Sequence, residues 1–192
     1  TGAILWEGHE AIGTEVEAAI QAARNAFPAW SRISVMERAG YLKAFAEKVQ
    51  EHKVSLSESI SQETGKPLWE SLQEVDTMVA KVTNSLEAYQ ERFQEVASAQ
   101  AGFTAFKRFR PHGVVGVLGP FNLPGHLPHS HIVPALLAGN TVVYKPSEMT
   151  PGVGERTTAL WEEAGLPTGV FNLVQGGRNA GISLASHLGL DG

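Results

Sequence analysis

Three short segments in the second half of the chain carry residue types that could bind or activate a ligand. They are residues 119–125, which contain Asn122, residues 145–148, which contain Lys145 and Glu148, and residues 176–181, which contain Gly177 and Gly181. An asparagine amide in a rigid loop can donate a hydrogen bond to an oxyanion that develops during a reaction. A lysine and a glutamate can bind the hydroxyls of a ribose, and backbone N–H groups in a glycine turn can hold phosphate oxygens.

Each segment also has an ordinary structural explanation. Asn122 could cap a helix or a turn, the Lys145 segment could be a solvated turn, and the glycines could serve only the backbone of their own turn. Residues 176–181 also fit neither common phosphate motif, because Ile182 stands where a P-loop needs lysine and the glycine spacing differs from G-x-G-x-x-G. Taken singly, each segment favours the structural explanation.

The placement of the three segments in the chain is more informative than any one of them. Each follows an apolar run that is typical of a buried parallel strand, and the runs are Val114–Leu118, Thr141–Tyr144 and Val170–Val174. Helical patterns alternate with these runs, which predicts right-handed crossovers and a doubly wound α/β sheet. Since ligands bind beyond the carboxyl ends of such strands, we expect the three segments to meet at one edge of the sheet.

The first part of the chain has the three- and four-residue apolar spacing of amphipathic helices. Thr14 with Glu17, and Ser34 with Glu37, have the spacing of a capping box. Pro28 is expected to end the first helix. The sequence therefore predicts a helical part that precedes the sheet.

Two further elements are expected between the helical part and the sheet. Apolar spacing after Pro67 predicts a long helix that extends to Phe93. Residues 103–110 alternate between apolar and polar, as a half-exposed strand does. This strand precedes the first buried strand of the sheet.

Composition excludes several classes of function. The 192 residues include no cysteine, which excludes a disulfide, a zinc-thiolate site and a catalytic thiol within this chain. The net charge is −5 and basic residues are scattered, which argues against nucleic-acid binding. Apolar runs fall short of the about 20 residues that a membrane helix needs, and the first residues lack a secretory signal pattern. His126, His129 and His131 lack the spacing of metal ligands, so no metal site is predicted.

Together the segments resemble the aldehyde dehydrogenase superfamily. The resemblance is carried by residues 63–67, 119–125, 134–143, 145–151, 165–167 and 169–174, and it extends over almost the whole chain. It implies NAD(P)-dependent oxidation of a small-molecule aldehyde to a carboxylate, with NAD expected rather than NADP, by a cytoplasmic homo-oligomer without nucleic-acid or membrane partners. Residues 110–113 and 125–134 further resemble a subfamily that acts in bacterial arginine catabolism.

The resemblance also implies a role for each candidate residue. Asn122 matches the asparagine whose amide helps to hold the oxyanion of the thiohemiacetal. Phe121 matches an aromatic position beside the cofactor cleft. Lys145 and Glu148 match contacts to the adenosine ribose, and Gly177 and Gly181 match glycines that line the cofactor near the adenine and pyrophosphate.

The same resemblance predicts a truncated chain. The family's catalytic cysteine and general-base glutamate would lie beyond residue 192, so we expect an N-terminal fragment that is inactive alone. Residues 1–102 are expected to be the helical part of the cofactor-binding domain, residues 103–112 a strand of the oligomerisation region, and residues 113–192 an incomplete Rossmann-like part that binds NAD. The alternative is a non-catalytic nucleotide-binding or assembly module of the same ancestry.

Overall fold

The computed structural model describes residue 2 and residues 4–192; Thr1 and Ala3, which the sequence assigns to the helical part, lie outside the described residues. The described helices are α1 (Gly13–Trp30), α2 (Val35–Glu51), α3 (Lys53–Thr64), α4 (Leu68–Arg92), α5 (His126–Leu137), α6 (Pro151–Glu163) and α7 (Arg178–Ala185). The described strands are β1 (Val96–Gln100), β2 (Phe103–Lys107), β3 (Val114–Leu118), β4 (Thr141–Lys145) and β5 (Phe171–Leu173). Among the helices within these residues, none is long and apolar enough to cross a membrane.

The predicted parallel sheet is present, with the strand order β3-β4-β5. β4 is the central strand and is buried along its whole length. β5 is shorter than the run Val170–Val174 suggested. Val170 contributes only its carbonyl to the sheet, which accepts from Val142 N at 2.9 Å, because its amide donates to Pro167 O at 3.1 Å in a turn. Val174 still extends the ladder, since its amide donates to Tyr144 O at 2.8 Å.

Helices cover both faces of this sheet, as a doubly wound fold requires. Val143 packs on one face with Val16 and Ile20 of α1 and with Leu184 of α7. Its neighbour Val142 lies in the larger apolar cluster on the opposite face, which includes side chains of α5 and α6. The α/β fold class expected from the alternating pattern is confirmed.

A further layer of helices, α2 to α4, packs on α5 and α6. Phe45 of α2 stacks on Trp161 of α6, with ring centroids 3.6 Å apart. Arg38 of α2 is buried, and its Nε donates to Leu137 O at 2.8 Å, which satisfies a carbonyl at the C-terminal end of α5. The outer layer thereby holds both crossover helices of the sheet in place.

His129 lies in the core between these layers, and both of its ring nitrogens have hydrogen-bond partners. Nδ1 is 2.7 Å from Gly125 O, and Trp161 Nε1 donates to Nε2 at 3.3 Å. A carbonyl needs a donor and an indole N–H needs an acceptor, so the neutral ring with its proton on Nδ1 fits both contacts. Burial lowers the pKa of the His129 imidazole to about 4, and a protonated ring would break the contact with Trp161.

This histidine predicts a loss of stability in mild acid. An unfolded histidine takes up a proton below about pH 6.5, whereas folded His129 stays neutral down to about pH 4. The contribution is fully present above pH 6.5 and is lost as the pH falls toward 4. We expect the free energy of unfolding to fall by about 2 kcal/mol between pH 7 and pH 5 on this account, as measured by urea denaturation.

Two substitutions isolate this effect. The acid sensitivity should be much reduced in His129→Gln, which cannot titrate, and should persist in His131→Gln, which alters an exposed histidine of the same helix. Equal pH dependence of the wild type and His129→Gln would show that His129 does not cause the loss.

The first helix differs from its prediction at both ends. α1 starts at Gly13, with Ile12 as the N-cap, and the carboxylate of Glu15 accepts from Ile12 N at 2.9 Å. The capping box predicted at Thr14 and Glu17 was therefore wrong, whereas the one at Ser34 and Glu37 is confirmed. Pro28 was expected to end α1 but lies inside it. The helix continues because Trp30, two residues later, is buried in the core.

A β-hairpin follows α4, where a single strand was expected. α4 ends at Arg92, and residues 96–100, which the sequence placed in the helical part, form β1. β1 pairs antiparallel with β2, with Val96 opposite Lys107. Gly102 in the connecting turn has a φ of +88°, which only glycine adopts readily. β2 itself ends at Lys107, before residues 108–110 of the predicted strand.

The final residues of the chain lie beside β3, on the side away from β4. Asp191 N donates to Val114 O, and Gly116 N donates to Gly192 O, both at 2.8 Å. The Asp191 carboxylate also accepts from Val114 N at 2.8 Å and lies 2.7 Å from Nη1 of Arg24. The hydrogen bond from Val114 holds the pKa of Asp191 below its usual value.

Candidate active site

The three candidate segments come together at the carboxyl ends of the parallel strands. Gly119 N, directly after β3, donates to Lys145 O at the end of β4 at 2.8 Å. Lys145 Nζ donates in turn to Gly176 O, after β5, at 2.6 Å. The juxtaposition expected from the strand order is therefore observed, and hydrogen bonds join the segments directly.

Lys145 is buried in this edge rather than extended from it. Its Nζ donates to Pro146 O and to Gly176 O, each at 2.6 Å, which leaves one of its three N–H groups for another partner. Burial lowers the pKa of Lys145, and the charge of Glu148 opposes that shift. Glu148 is exposed, and its Oε2 lies 3.9 Å from Nζ. The pair therefore presents a fixed cation beside an accessible carboxylate.

A groove of about 190 Å³ lies next to this pair. Its lining includes Glu148, Gly176 and Gly177, together with Trp6 and Glu10 of the N-terminal segment. Gly177 N donates to Glu10 Oε1 at 3.2 Å, so this amide, a candidate for binding phosphate, already has an acceptor in this structure.

The glycines of the third segment meet different requirements. Gly176 has a φ of +141°, which supports the structural explanation for that residue. A Cβ at Gly181 would lie 3.4 Å from Lys145 Cε, so Gly181 leaves room for the lysine side chain. Gly177 and Gly181 thus lie on either side of the first turn of α7.

Asn122 is exposed and does not cap the helix that follows it. The N-cap of α5 is Gly125, and the amides of Gly125 and His126 donate instead to Glu74 Oε1, at 2.8 and 3.1 Å. The backbone carbonyl of Asn122 accepts from Lys66 Nζ at 2.8 Å. The structure therefore does not support the capping explanation for α5.

The other candidate side chains occupy different environments. Phe121 is half-buried beside Asn122. His126 is partly exposed and has a pKa lowered by burial, whereas His131 is exposed and His129 is in the core. Within the part of the chain that the structure describes, no group of three histidine or carboxylate side chains is placed to hold a metal ion.

The family model for aldehyde dehydrogenases matches residues 1–192. The chain belongs to the aldehyde dehydrogenase family. The superfamily resemblance and the fold expected from it are thus confirmed. Solved aldehyde dehydrogenase structures give the same result: lactaldehyde dehydrogenase is 30% identical with a TM-score of 0.92, and 99% of this chain covers 40% of that one.

Other relatives bear on the subfamily and the cofactor. N-succinylglutamate 5-semialdehyde dehydrogenase of Chromobacterium violaceum is 55% identical over 188 residues, which are 98% of this chain and 39% of the relative. The subfamily resemblance of residues 110–113 and 125–134 is thereby confirmed. An E. coli NADP-dependent enzyme of known structure is 31% identical with a TM-score of 0.92, and 97% of this chain covers 39% of it. The chain therefore spans about 39% of the length of these two proteins.

Two carboxylates that sequence reasoning missed support this edge of the aldehyde dehydrogenase sheet. Glu63 accepts from Gly152 N and Val153 N, both at 2.9 Å, at the start of α6. Glu74 likewise accepts from Gly125 N and His126 N at the start of α5. Burial raises the pKa of Glu63, and the two amide donors oppose that shift. The available signal was indirect and held only for α5, whose N-cap, Gly125, has no side chain to satisfy the first amides. The N-cap of α6 is Thr150, a residue type that often caps helices, but its side chain makes no capping hydrogen bond.

Proposed function

We propose that this chain is the N-terminal, cofactor-binding part of an enzyme that oxidises N-succinylglutamate 5-semialdehyde to N-succinylglutamate with NAD(P). The observation that carries the proposal is the meeting of three candidate segments at one sheet edge, in a chain 55% identical to a relative of that name. The chain contains no cysteine and spans 39% of that relative. In this proposal the nucleophilic cysteine and the general-base glutamate lie in the remaining part of the enzyme.

The proposed role of Asn122 is to stabilise an oxyanion. A thiolate from outside this chain adds to the aldehyde carbon and places negative charge on the former carbonyl oxygen. The Asn122 amide donates an N–H to that oxygen without transferring a proton. Its side chain is exposed and its backbone carbonyl is fixed by Lys66, which leaves the amide available for this contact.

The groove beside Lys145 and Glu148 fits the adenosine ribose of a dinucleotide. The Glu148 carboxylate can accept from ribose hydroxyls, and Lys145 keeps one N–H for a ribose oxygen. Gly177 and Gly181 lie on the same edge, and a cofactor phosphate would replace the Glu10 carboxylate at the Gly177 amide. We place Phe121 beside the cofactor cleft. Bound NAD(P) would supply the hydride acceptor.

We infer that NAD is preferred over NADP and that Glu148 sets the preference. A 2′-phosphate would remove a hydroxyl donor from Glu148 and bring a second negative charge close to it. A hydrogen bond to a charged group is worth about 1.5–3 kcal/mol, or very roughly 10–100-fold in affinity. Lys145, 3.9 Å from Glu148, would attract the phosphate, so a preference rather than exclusion is expected.

The substitution Glu148→Gln tests this inference in the intact enzyme. It should reduce the ratio of kcat/KM for NAD to that for NADP, whereas Glu162→Gln, which changes an exposed carboxylate of α6, should not. If the wild type uses both cofactors equally well, or Glu148→Gln leaves the ratio unchanged, Glu148 is not the selector. The existence of an NADP-dependent relative makes this measurement informative.

We further propose that the intact enzyme is a cytoplasmic homo-oligomer and that residues 103–112 take part in its assembly. Phe103 and Phe106 in β2 are 60% and 56% exposed, and such apolar exposure is typical of a surface that is covered in an assembly. Residues 1–102 and 113–192 would be the helical and the NAD-binding parts of one cofactor-binding domain.

The proposed activity is tested by steady-state kinetics of the intact enzyme. We expect kcat/KM to be higher for N-succinylglutamate 5-semialdehyde than for aldehydes that lack the succinyl group or the carboxylates. Preference for another aldehyde would contradict the substrate assignment. Absence of turnover with every aldehyde tested would favour the alternative, a non-catalytic nucleotide-binding or assembly module of the same ancestry.

A further inference from the structure

The segment that carries Asn122 is attached to the helical layer by a buried ion pair. Lys66 Nζ lies 2.7 Å from Glu74 Oε2, and the two side chains are only 9% and 1% exposed. Lys66 lies between α3 and α4, and Glu74 lies in α4. Neither residue belongs to the sheet whose edge forms the candidate site.

The ion pair contacts both ends of one short turn. Lys66 Nζ also donates to Asn122 O at 2.8 Å, and Glu74 Oε1 accepts from Gly125 N at 2.8 Å. A Cβ at Gly125 would lie 2.6 Å from Met78 Sδ and 3.3 Å from Glu74 Oε1. A side chain at position 125 would therefore clash with Met78 and crowd the Glu74 carboxylate, so the close packing of α4 on this turn requires glycine.

Stability alone is a weak explanation for this arrangement. Burying two charges is expensive, and a buried pair often stabilises a fold no better than apolar side chains would. An oxyanion donor, in contrast, depends on its position, since a displacement of about 1 Å can lower a rate about 10²-fold. The pair fixes the backbone of the residue for which position matters most.

We propose that Lys66 and Glu74 are positioning residues that set the location of the Asn122 amide for oxyanion stabilisation. The inference rests on the proposed function of Asn122. Lys66 holds the Asn122 carbonyl, Glu74 holds the amide of Gly125 three residues later, and the pairing of their charges keeps both contacts in a fixed relation.

The first test is Lys66→Met in the intact enzyme, which keeps the length of the side chain and removes its donor. We expect kcat to fall about 10-fold or more, with little change in the KM for cofactor. The matched control is Lys53→Met. Lys53 Nζ pairs with Asp76 Oδ1 at 2.6 Å and also joins α3 to α4, but it does not contact the Asn122 segment. The substitution Lys53→Met should therefore leave kcat unchanged.

A double-mutant cycle then separates positioning from a general structural role. If Lys66 acts through Asn122, adding Lys66→Met to Asn122→Ala should lower kcat no further. If Lys66→Met lowers kcat by the same factor in the wild type and in Asn122→Ala, the inference is overturned. If Lys66→Met does not fold, the same cycle is run with Glu74→Gln, which keeps the shape of the side chain. A loss of kcat that disappears in Asn122→Ala supports the inference, and an equal loss in both backgrounds overturns it.

The outcomes also distinguish this inference from the function on which it rests. If Asn122→Ala lowers kcat and neither Lys66→Met nor Glu74→Gln does, the positioning role is wrong and the oxyanion role stands. If Asn122→Ala leaves kcat near normal, the oxyanion role fails first. A loss of kcat in Lys66→Met would then not act through Asn122, and the positioning role would fail with the oxyanion role.

Discussion

The 192-residue chain by itself is expected to form no NADH from any aldehyde. It contains no cysteine, and enzymes that use a covalent nucleophile generally lose useful rates when that nucleophile is removed. Even if the chain bound NAD, Asn122 would offer only a hydrogen-bond donor to an oxyanion that no group of this chain generates. The measurement is NADH absorbance after the purified chain is mixed with N-succinylglutamate 5-semialdehyde and NAD.

Contamination by host enzymes is the main source of a false positive in that assay. A preparation purified in parallel from cells that lack the chain sets the background, and the intact enzyme provides the positive control. NADH formation above this background that scales with the amount of the chain would refute the division of catalytic groups proposed above.

In the intact enzyme, Asn122→Ala is expected to lower kcat by about 10²–10³, the usual effect of losing one oxyanion donor. The affinity for NAD should change little, because the proposed cofactor contacts belong to Lys145, Glu148 and the glycine turn. The rate must be measured where chemistry limits turnover, for example in single-turnover experiments, because slow product release would hide the effect.

A second asparagine of the chain provides the control for this substitution. Asn25 is exposed in α1, and its side-chain oxygen accepts a local hydrogen bond from Gln21 at 2.9 Å, so Asn25→Ala should leave kcat unchanged. Near-normal turnover of Asn122→Ala under the same conditions would show that Asn122 serves the structure of its turn and not the chemistry.

The sheet and the position of the candidate site could be predicted because both depend on local patterns. The run Thr141–Tyr144 is mostly apolar, and a strand of this kind is typical of a parallel sheet covered on both faces; the strand that forms there is buried along its whole length. Once the strands are parallel, their carboxyl ends must lie at one edge. The position of Asn122 relative to Lys145 therefore followed from strand order.

The contacts that hold this edge in place could not be predicted, because they join distant parts of the chain. Glu74 is 51 residues from Gly125, and Lys66 is 56 residues from Asn122. A glutamate and a lysine in a helical region look like solvated charges in the sequence. Their burial depends on how α3 and α4 pack on α5, which no local pattern encodes.

Local rules also failed where tertiary contacts outweighed them. Pro28 is normally a reason to end a helix, but the burial of Trp30, whose Nε1 donates to Leu136 O at 3.2 Å, extends α1 past it. β1 was missed because its sequence, Val96–Gln100, is mostly small and polar, with little strand preference. Pairing with β2 determines its conformation.

The most direct test of the account is a structure of the intact enzyme with NAD(P) and a thiohemiacetal, or a stable analogue of it, at the catalytic cysteine. We predict that the Asn122 side-chain nitrogen lies about 3 Å from the former aldehyde oxygen, while Lys66 still contacts the Asn122 carbonyl and the Glu148 carboxylate faces the adenosine ribose. An Asn122 side chain turned away from that oxygen, or a cofactor bound away from the edge formed by Lys145 and Gly176, would contradict it.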